Sequence, residues 1–491
     1  MATSSVTGSG LDVNSIVSQL MTLEKRPLTV LTQRETQVTA RITALSRVQG
    51  GVSALQNAAA SLAKTTTFNA MRASSSGDGV MAAVTDSTAA AAGTYQVKVN
   101  SLASSHALAS QVFTASDQIG TGSLTIQFGS ITSSNTGGTF TPAATSSATP
   151  ITITSSNNTL AGIRDAINAA KIGVTASVVT DNAGSRLSLI ANDTGLANTI
   201  RVAVDDGSDG SNTNNQGLSR LSFDPTISLP PGDATGNGRQ MLQTRAPVDA
   251  SYEVNGLALT SSSNKVSTAI GGVTLDLRKA SADTINTITV ERDTLSIRMA
   301  VDSFIKAYND VDKVIRDVTA YDPANRKGAV LNGDSAVRSV QSQLRALLGS
   351  QMSAATGDFS MLSSVGIEIG KDGSLSLSAT RFEAALTDPA KMSRLFTTTS
   401  EGSESARGFG VRFEALGKLI AGPGGLLPGR TSSQQSQIDA IAKQKIRLND
   451  RLDDIEKRLR LQYAALDAQL ARMQGTSSSL ANALSQLPGG G

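Results

Sequence analysis

The chain of 491 residues is too long for one hydrophobic core, so several domains are expected, and its 39% apolar content suffices for modest cores. Cysteine is absent, which excludes disulfides, thiolate chemistry and cysteine-based zinc sites. The 43 basic and 40 acidic residues give no field of one sign, so nucleic-acid binding, which needs a basic face, has little support.

The N-terminal residues 1–11 lack the basic region and the apolar run of a secretory signal peptide. No apolar segment reaches the length of about 20 residues that a membrane-spanning helix needs. We therefore expect a soluble protein without membrane insertion, and any export would use a route without a cleaved signal. Asp12 is a suitable N-cap for a first helix, and Pro27 marks a break after it.

A seven-residue repeat characterises the second predicted helix, from about Leu28 to Lys64. Its apolar residues at this spacing are Leu31, Val38, Leu45 and Val52. Such a repeat places one apolar stripe along a helix, and the stripe must be buried against another helix.

The middle of the chain is predicted to be rich in short strands. Residues 73–93 indicate a loop or very short strands, and one helix is predicted at Leu160–Ala170. Alternating apolar residues predict strands at 94–99, 124–128, 151–153, 174–179, 186–190, 200–204, 252–254, 273–277 and 285–290. Segments rich in small polar residues predict loops at 130–149, 205–217 and 230–239.

The pattern becomes helical again at Thr294. Helices are predicted at 294–318, 336–348, 382–386 and around 392–396. A hairpin is predicted at Val365–Leu377, because Asp372 and Gly373 suit a tight turn between two strands. Gly422–Gly425 predicts a linker before the last helix.

The last predicted helix, Gln434–Met473, carries two interleaved series of residues with seven-residue spacing. The first series consists of Ile438, Lys445, Leu452, Leu459, Leu466 and Met473. The second series consists of Ile441, Leu448, Ile455, Gln462 and Gln469. Acids one turn before bases predict surface ion pairs Asp453–Lys457, Asp454–Arg458 and Glu456–Arg460. An ordinary amphipathic helix is an alternative, but the repeat at the other end of the chain favours pairing of the two terminal helices.

The expected assembly seam consists of Leu31, Val38, Leu45, Val52, Ile438, Ile441, Leu448, Leu452, Ile455, Leu459, Leu466 and Met473. Three polar residues interrupt the seam: Lys445, Gln462 and Gln469. We hypothesise that they keep the contact loose enough to move.

No catalytic constellation is present. The single histidine, His106, has no neighbour that would orient it as a base or metal ligand, so a structural or exposed role is expected. Asp205, Asp206 and Asp209 fail the EF-hand pattern because Gly207 takes the second ligand position, and a solvated turn is expected. We expect neither a cofactor nor a metal. Paired carboxylates for glycoside hydrolysis are not excluded, but few aromatic residues are available to stack on sugars.

A series of short motifs runs through nearly the whole chain. It begins with Gly8-Ser9-Gly10-Leu11-Asp12, Pro27-Leu28 and Gly93-Thr94-Tyr95. It continues with Asn255-Gly256, Gly272-Val273-Thr274-Leu275, Tyr308-Asn309, Leu331-Asn332-Gly333-Asp334, Asp372-Gly373, Leu395-Phe396 and Ala465-Leu466-Asp467. In this order the motifs resemble those of the bacterial flagellar filament cap proteins (the hook-associated, FliD family), and Ile151–Val204 resembles the β insert that this family shares with flagellins.

The resemblance implies a multidomain α+β fold with long coiled-coil terminal helices, a helical leg domain and nested β-rich head domains. The implied division is a terminal coiled-coil region at 1–42 and 428–491, a helical leg domain at 43–72 and 295–427, an inner β head domain at 73–108 and 247–294, and an outer β head domain at 109–246 inserted in the inner one.

The resemblance also implies a structural, non-enzymatic protein that is secreted to the filament tip, retains exported flagellin and promotes its folding and insertion. Expected partners are further copies of the chain in a ring of five subunits, flagellin, hook-filament junction proteins and an export chaperone. Two alternatives stay open: another axial flagellar protein (a flagellin or a junction protein), or a surface adhesin or glycan-active enzyme that uses the β head. Adhesion is also conceivable as a secondary role.

Overall fold

The computed structural model describes residues 12–485 with gaps at 115, 133–137, 145, 147, 230–234, 282 and 354–358. Residues 8–11 of the first motif and parts of the predicted loops at 130–149 and 230–239 therefore lie outside the described residues. The chain forms two units: a helical unit of Met1–Phe68 and Thr294–Gly491, and a β unit of Asn69–Asp293.

The described residues form ten α-helices: α1 (Val13–Glu24), α2 (Arg26–Leu62), α3 (Thr65–Asn69), α4 (Leu160–Ala170), α5 (Thr294–Thr319), α6 (Ser335–Leu348), α7 (Ala379–Leu386), α8 (Pro389–Thr397), α9 (Phe409–Ala421) and α10 (Leu426–Ser485). All helices predicted from the sequence are found, whereas α3 and α9 were not predicted. None of the described helices combines the length and the apolar character that a membrane crossing requires.

The first two helices begin and end where local chemistry predicts. The carboxylate of Asp12 accepts a hydrogen bond from the backbone N–H of Ser15 at 3.0 Å, which caps α1. Pro27 lies in the first turn of α2, where its missing N–H has no intrahelical partner to lose. The predicted break between the helices therefore falls at Lys25.

The core of the helical unit surrounds α2, which packs against both α5 and α9. The fully buried side chains at these contacts include Leu45, Val48, Val52 and Leu55 of α2, Phe304, Tyr308 and Val311 of α5, and Phe409 and Phe413 of α9. Phe304 and Phe413 meet edge to face with ring centroids 5.0 Å apart. Each buried side chain of this size stabilises the fold by about 1.5–3 kcal/mol relative to exposure.

The described strands are short: β1 (Met71–Ser75), β2 (Val80–Val84), β3 (Gly93–Ser101), β4 (Ala107–Ala109), β5 (Gly122–Thr132), β6 (Thr139–Pro142), β7 (Ile151–Ile153), β8 (Val174–Asp181), β9 (Gly184–Ala191), β10 (Thr199–Asp206), β11 (Leu242–Arg245), β12 (Ala250–Val254), β13 (Leu257–Ser261), β14 (Lys265–Ile270), β15 (Val273–Leu277), β16 (Ile285–Arg292), β17 (Tyr321–Asp322), β18 (Lys327–Gly328), β19 (Ile367–Ile369) and β20 (Leu375–Leu377). Every predicted strand is found, and together with the helices they confirm the expected mixed α+β fold.

The strands of the β unit pack around two cores. The antiparallel sheet β1-β16-β3-β12-β13 and the sheet β14-β15-β2 share the first core, which includes Val97, Tyr252 and Leu275. The sheet β10-β5-β6, with β7 also paired to β5, shares the second core with the sheet β11-β4-β9-β8 and with α4. The side chains of Ile163 and Ile167 from α4 are fully buried in it.

One predicted loop contains regular structure. The segment predicted as a loop at 130–149 includes the end of β5 and all of β6, which pair from Gly129–Pro142 to Thr132–Thr139. Threonine and serine at these positions gave a loop prediction, but β-branched residues also suit the pleated edge of a sheet. In contrast, the hairpin β19–β20 has the predicted Asp-Gly turn, with Gly373 at a φ of 85°.

Candidate functional site

The two ends of the chain pair as long helices within the helical unit. Arg460 Nη1 of α10 donates to Asn14 Oδ1 of α1 at 3.0 Å, and Lys445 Nζ of α10 lies 2.8 Å from Glu35 Oε2 of α2. As the residue numbers increase along α1 and α2, the residue numbers of their contacts on α10 decrease. The two N-terminal helices therefore follow one another antiparallel to the 60-residue C-terminal helix.

The predicted stripe of α2 becomes more buried along the helix. Leu31 is half-buried, Val38 is 4% exposed, and both Leu45 and Val52 are fully buried. Leu45 and Val52 belong to the main core with α5 and α9. The distal half of this stripe thus contributes to the fold of the helical unit, and the seam toward α10 uses its proximal half.

The predicted stripe of α10 is buried in its middle part. Ile441 and Leu452 are 5% and 3% exposed. The residues packed around Leu452 are Val17 and Met21 of α1, with Val13, Leu448, Ile455, Leu459 and Tyr463 at the edge of the cluster. The structure therefore brings the predicted residues Leu448–Leu459 together against α1, a helix that the heptad repeat of α2 did not identify as their partner. Ile438, nearer the start of α10, is half-buried.

The distal part of α10 exposes its apolar residues. Leu466 is 44% exposed, and Met473 and Leu480 are each 62% exposed. Gln462 and Gln469 are exposed as well, so these two glutamines are not polar interruptions of a covered seam. The predicted stripe thus continues beyond Tyr463 as an exposed apolar surface.

One of the three ion pairs predicted on α10 is found. Arg460 Nη2 pairs with Glu456 Oε1 at 2.8 Å, as predicted. Lys457 instead lies 3.9 Å from Asp454 Oδ1, so the predicted pairs Asp453–Lys457 and Asp454–Arg458 are wrong. These side chains are largely exposed, where several rotamers have similar energy and spacing alone does not select a partner.

Two glycines of α9 allow a close contact with α2 that was not predicted from the sequence. A Cβ atom on Gly410 would lie 2.7 Å from Ala63 N, and one on Gly417 would lie 2.6 Å from Gln56 Cβ. The absence of side chains here lets the backbones of α9 and α2 approach closely. The same glycines lower the helix propensity of α9, which explains why the helix was not predicted.

His106 is a buried structural residue, so the exposed alternative is wrong. Its side chain is 1% exposed, and Nδ1 accepts a hydrogen bond from the backbone N–H of Ile200 at 2.7 Å. Burial, followed by the positive charge of Arg239, lowers the pKa of His106 to about 4.

The aspartate cluster organises a loop through hydrogen bonds. Asp206 is 2% exposed, and its carboxylate accepts hydrogen bonds from the backbone N–H groups of Ser208 at 2.8 Å and Ser219 at 2.9 Å. Burial raises the pKa of Asp206, but these hydrogen bonds outweigh burial and the net pKa is below its usual value. The expectation of a solvated turn is wrong for Asp206 and correct for the exposed Asp209. Within the described ranges, no group of three or more His, Asp and Glu side chains is arranged to hold a metal ion.

Comparison with known proteins gives one consistent result. Family models match three parts of the chain: flagellar hook-associated protein 2 N-terminus at residues 9–106, flagellin hook IN motif at 123–193, and flagellar hook-associated protein 2 C-terminus at 248–475. The chain is 32% identical to the B-type flagellar hook-associated protein 2 of Pseudomonas aeruginosa, with 100% of this chain and 99% of the relative covered. It is 28% identical to the flagellar hook-associated protein 2 of Escherichia coli K12, with 96% of each covered.

A solved structure is similar as well. The crystal structure of the D1-D2-D3 domains of the flagellar cap protein FliD from Escherichia coli superposes with a TM-score of 0.61 at 27% identity. The match covers 80% of this chain and 99% of that one.

Proposed function

The chain belongs to the flagellar hook-associated protein 2 family, and we propose that it caps the distal tip of the bacterial flagellar filament. Similarity over the full length to a hook-associated protein, together with the fold shared with a flagellar cap protein, supports this role. In this role the protein is structural rather than enzymatic and acts outside the cell. It assembles with further copies of itself as a ring, for which we propose five subunits.

The observation that carries the proposal is that the C-terminal helix α10 extends beyond its contact with the N-terminal helices and exposes apolar side chains there. The pair is held together up to about Tyr463, where the cluster around Leu452 ends. Beyond it, α10 presents Leu466, Met473 and Leu480 to solvent on a helix that runs to Ser485. An apolar stripe on a helix is suited to pack against other helices, such as those of flagellin at the open filament end.

We further propose how capping helps assembly. Exported flagellin arrives at the filament end without its neighbours, and its apolar helical faces need a temporary partner. The exposed stripe of α10 provides such a surface, which retains flagellin until it folds and inserts. The hook-filament junction proteins and an export chaperone are proposed as further partners of the chain.

The four-part division of the chain also remains a proposal. In it the terminal coiled-coil region (1–42 and 428–491) meets the filament end, and the leg domain (43–72 and 295–427) supports it. The inner head domain (73–108 and 247–294) and the outer head domain (109–246) form the plate of the cap.

The test is complementation of a strain that lacks its own cap protein. Cells that express this chain are expected to carry long filaments, and flagellin in the medium is expected to fall to the level of the parent strain. The vector without the chain is the control. Flagellin that continues to leak at the control level, while the chain is exported, would refute the proposal.

A further inference from the structure

The paired terminal helices carry a local excess of positive charge. Residues 25–47 of the N-terminal part and 434–451 of α10, here called the basic band, contain nine basic and three acidic residues. The net charge of the whole chain is only +3, so the rest of the chain is net negative. The near balance of charge over the full sequence therefore does not extend to this pair of helices, which presents a field of one sign.

Most of these basic side chains are exposed and have no acidic partner. Lys445 pairs with Glu35 across the two helices. No acidic side chain in the described part of the chain lies within ion-pair distance of the other eight, all of which are exposed: Lys25, Arg26, Arg34, Arg41, Arg47, Lys443, Arg447 and Arg451. Six of the eight are arginines, whose planar guanidinium groups bind carboxylates through two parallel hydrogen bonds.

The spacing of the bases on α10 is unfavourable within the isolated chain. Lys443, Arg447 and Arg451 follow one another at intervals of four residues, so they lie on one face of the helix. Like charges at this spacing repel one another and destabilise a helix. A partner that supplies negative charge along this face would remove the repulsion.

Two exposed apolar side chains lie among the bases. Val30 of α2 is 60% exposed and lies one turn from both Arg26 and Arg34. Ile446 of α10 is 62% exposed and directly precedes Arg447. A surface that combines apolar contacts with positive charge suits a helix whose own exposed face combines apolar and acidic residues.

The composition of the basic band favours a protein partner over a nucleic acid or a membrane. The band contains no tryptophan, tyrosine or phenylalanine. Aromatic side chains are the usual platform for stacking on nucleic-acid bases and the usual anchor at a membrane surface. At 1.5 Å per residue the band is about 33 Å long over 25–47, which gives room for a helix of about 22 residues along it.

We propose that the basic band is a docking surface for an acidic helix of a protein partner. The inference rests on the proposed function, in which that partner is a flagellin subunit at the open end of the filament. Carboxylates of the partner pair with the exposed bases, and its apolar residues cover Val30 and Ile446. The contact differs from that of the apolar stripe beyond Tyr463, because it depends on charge and weakens as salt screens the charges.

A model peptide tests the band without a filament. The full-length chain is titrated with a fluorescent helical peptide that presents glutamates and leucines on one face, and peptides with glutamine or lysine in place of glutamate are the controls. We expect saturable binding of the glutamate peptide alone, which weakens when sodium chloride rises from about 50 to 200 mM. Equal binding of the glutamine peptide, or no binding of the glutamate peptide, would overturn the proposal. Duplex DNA or phosphatidylserine vesicles that bind when the peptide does not would also overturn it.

Two matched variants locate the binding. K443Q/R447Q/R451Q removes three charges from one face of α10 and should weaken binding of the glutamate peptide about threefold or more, because three exposed ion pairs are lost. K313Q/R338Q/R394Q removes the same charge from exposed helical positions outside the band and should bind as the unaltered chain does. Equal affinity of the two folded variants would overturn the proposal. If either variant fails to fold, the peptide and salt series on the unaltered chain decide it.

Filaments without caps separate this proposal from the capping role. The unaltered chain should bind their ends, and K443Q/R447Q/R451Q should bind them more weakly at equal salt. Equal affinity of the two chains would overturn the docking surface and leave the capping role intact. Absence of binding by the unaltered chain would refute capping, and the peptide titration would still decide the role of the basic band.

Discussion

Lys445 and Glu35 form an ion pair that joins the two ends of the chain, with Nζ and Oε2 2.8 Å apart. The side chains are only 26% and 33% exposed, and the pair lies near the buried Val38 and Ile441. Lys445 occupies a heptad position at which an apolar residue is usual. A paired charge at such a position favours one alignment of the helices, because any shift would leave both charges half-buried without partners.

The first prediction concerns this ion pair. K445L should lower the free energy of unfolding by about 1 kcal/mol, because the half-buried carboxylate of Glu35 loses its partner. The double variant E35L/K445L should recover that loss, since two leucines pack in the seam without any unpaired charge. Urea unfolding monitored by circular dichroism measures both. A double variant less stable than K445L would contradict this account of the pair.

The exposure of the polar seam residues narrows the hypothesis that they keep the helix contact loose enough to move. Gln462 and Gln469 are exposed, so of the three polar interruptions predicted in the seam, Lys445 is the one that lies in its covered part. We therefore expect E35L/K445L to slow filament growth, whereas Q462L/Q469L should not act through the pairing of α10 with α1 and α2. Growth of fluorescently labelled filaments measures the rates. An unchanged rate in E35L/K445L would remove the hypothesis.

The second prediction uses two adjacent glycines in α2. A Cβ atom on Gly51 would lie 2.7 Å from Cγ2 of the buried Val311, whereas one on Gly50 would have no atom within 4 Å. Both substitutions to alanine gain about 0.5–1 kcal/mol of helix propensity. G50A should therefore stabilise the helical unit, and G51A should be about 1–2 kcal/mol less stable than G50A because the core is overpacked. Denaturant midpoints compare the two variants, and equal midpoints would show that α5 adjusts without cost.

The third prediction is a pH dependence that arises from His106. Burial, followed by repulsion from Arg239, lowers its pKa in the folded chain to about 4 from an ordinary value of 6.5. Below pH 6.5 His106 becomes protonated in the unfolded chain but stays neutral in the folded chain. The free energy of unfolding therefore falls as the pH drops from 6.5 toward 4. A shift of this size corresponds to about 3 kcal/mol.

The measurement of that pH effect needs a matched variant, because carboxylates also titrate near pH 4. The difference in unfolding free energy between the parent chain and H106N should change between pH 6.5 and 4, with the parent losing more stability on acidification. NMR titration of the histidine ring gives its pKa independently. A titration midpoint near 6.5 would contradict the buried, neutral ring.

The fourth prediction concerns the distal part of α10. A chain that ends at Tyr463 retains the buried contact of Leu452 with Val17 and Met21, so its thermal unfolding should match that of the full chain. It loses the exposed stripe that carries Leu466 and Met473. We expect it to be exported but not to restore filaments in a strain without a cap protein. Normal filaments with the shortened chain would show that the stripe has no part in capping.

A milder variant distinguishes the stripe from the length of the helix. L466Q/M473Q keeps the helix and changes only two exposed apolar side chains, and A464Q/A465Q is a matched control on the same part of α10. The first should leak flagellin into the medium and the second should retain it. Equal leakage from both would indicate that helix length, rather than the apolar stripe, is required.

The elements with a regular period were predictable from the sequence. The heptads of α2 and α10, the cap at Asp12 and the turn at Gly373 each rest on local chemistry that the surrounding fold does not oppose. The helix α9 was missed because Gly410 and Gly417 lower its intrinsic helicity, and their purpose is visible only when α2 lies against them. Spacing alone also could not show that Leu448–Leu459 pack on α1, since α1 is too short to display a heptad repeat.

The burial of His106 was not predictable, because the residues that contact it come from distant parts of the sequence. Arg239 and His106 are separated by more than a hundred positions in the chain, and both lie against the ring of Phe223. A single histidine in a small polar segment gives no periodic signal. Only its burial and its unpartnered Nε2 atom distinguish it from an exposed ring.

The most direct test of the capping role uses isolated filaments that lack caps. Purified full-length chain is added to them, and the filament ends are imaged by electron microscopy. The proposal predicts a compact ring of additional density at the distal end alone, and no such density with the chain that ends at Tyr463. Binding along the sides of the filaments, or polymerisation of the chain into filaments of its own, would contradict it.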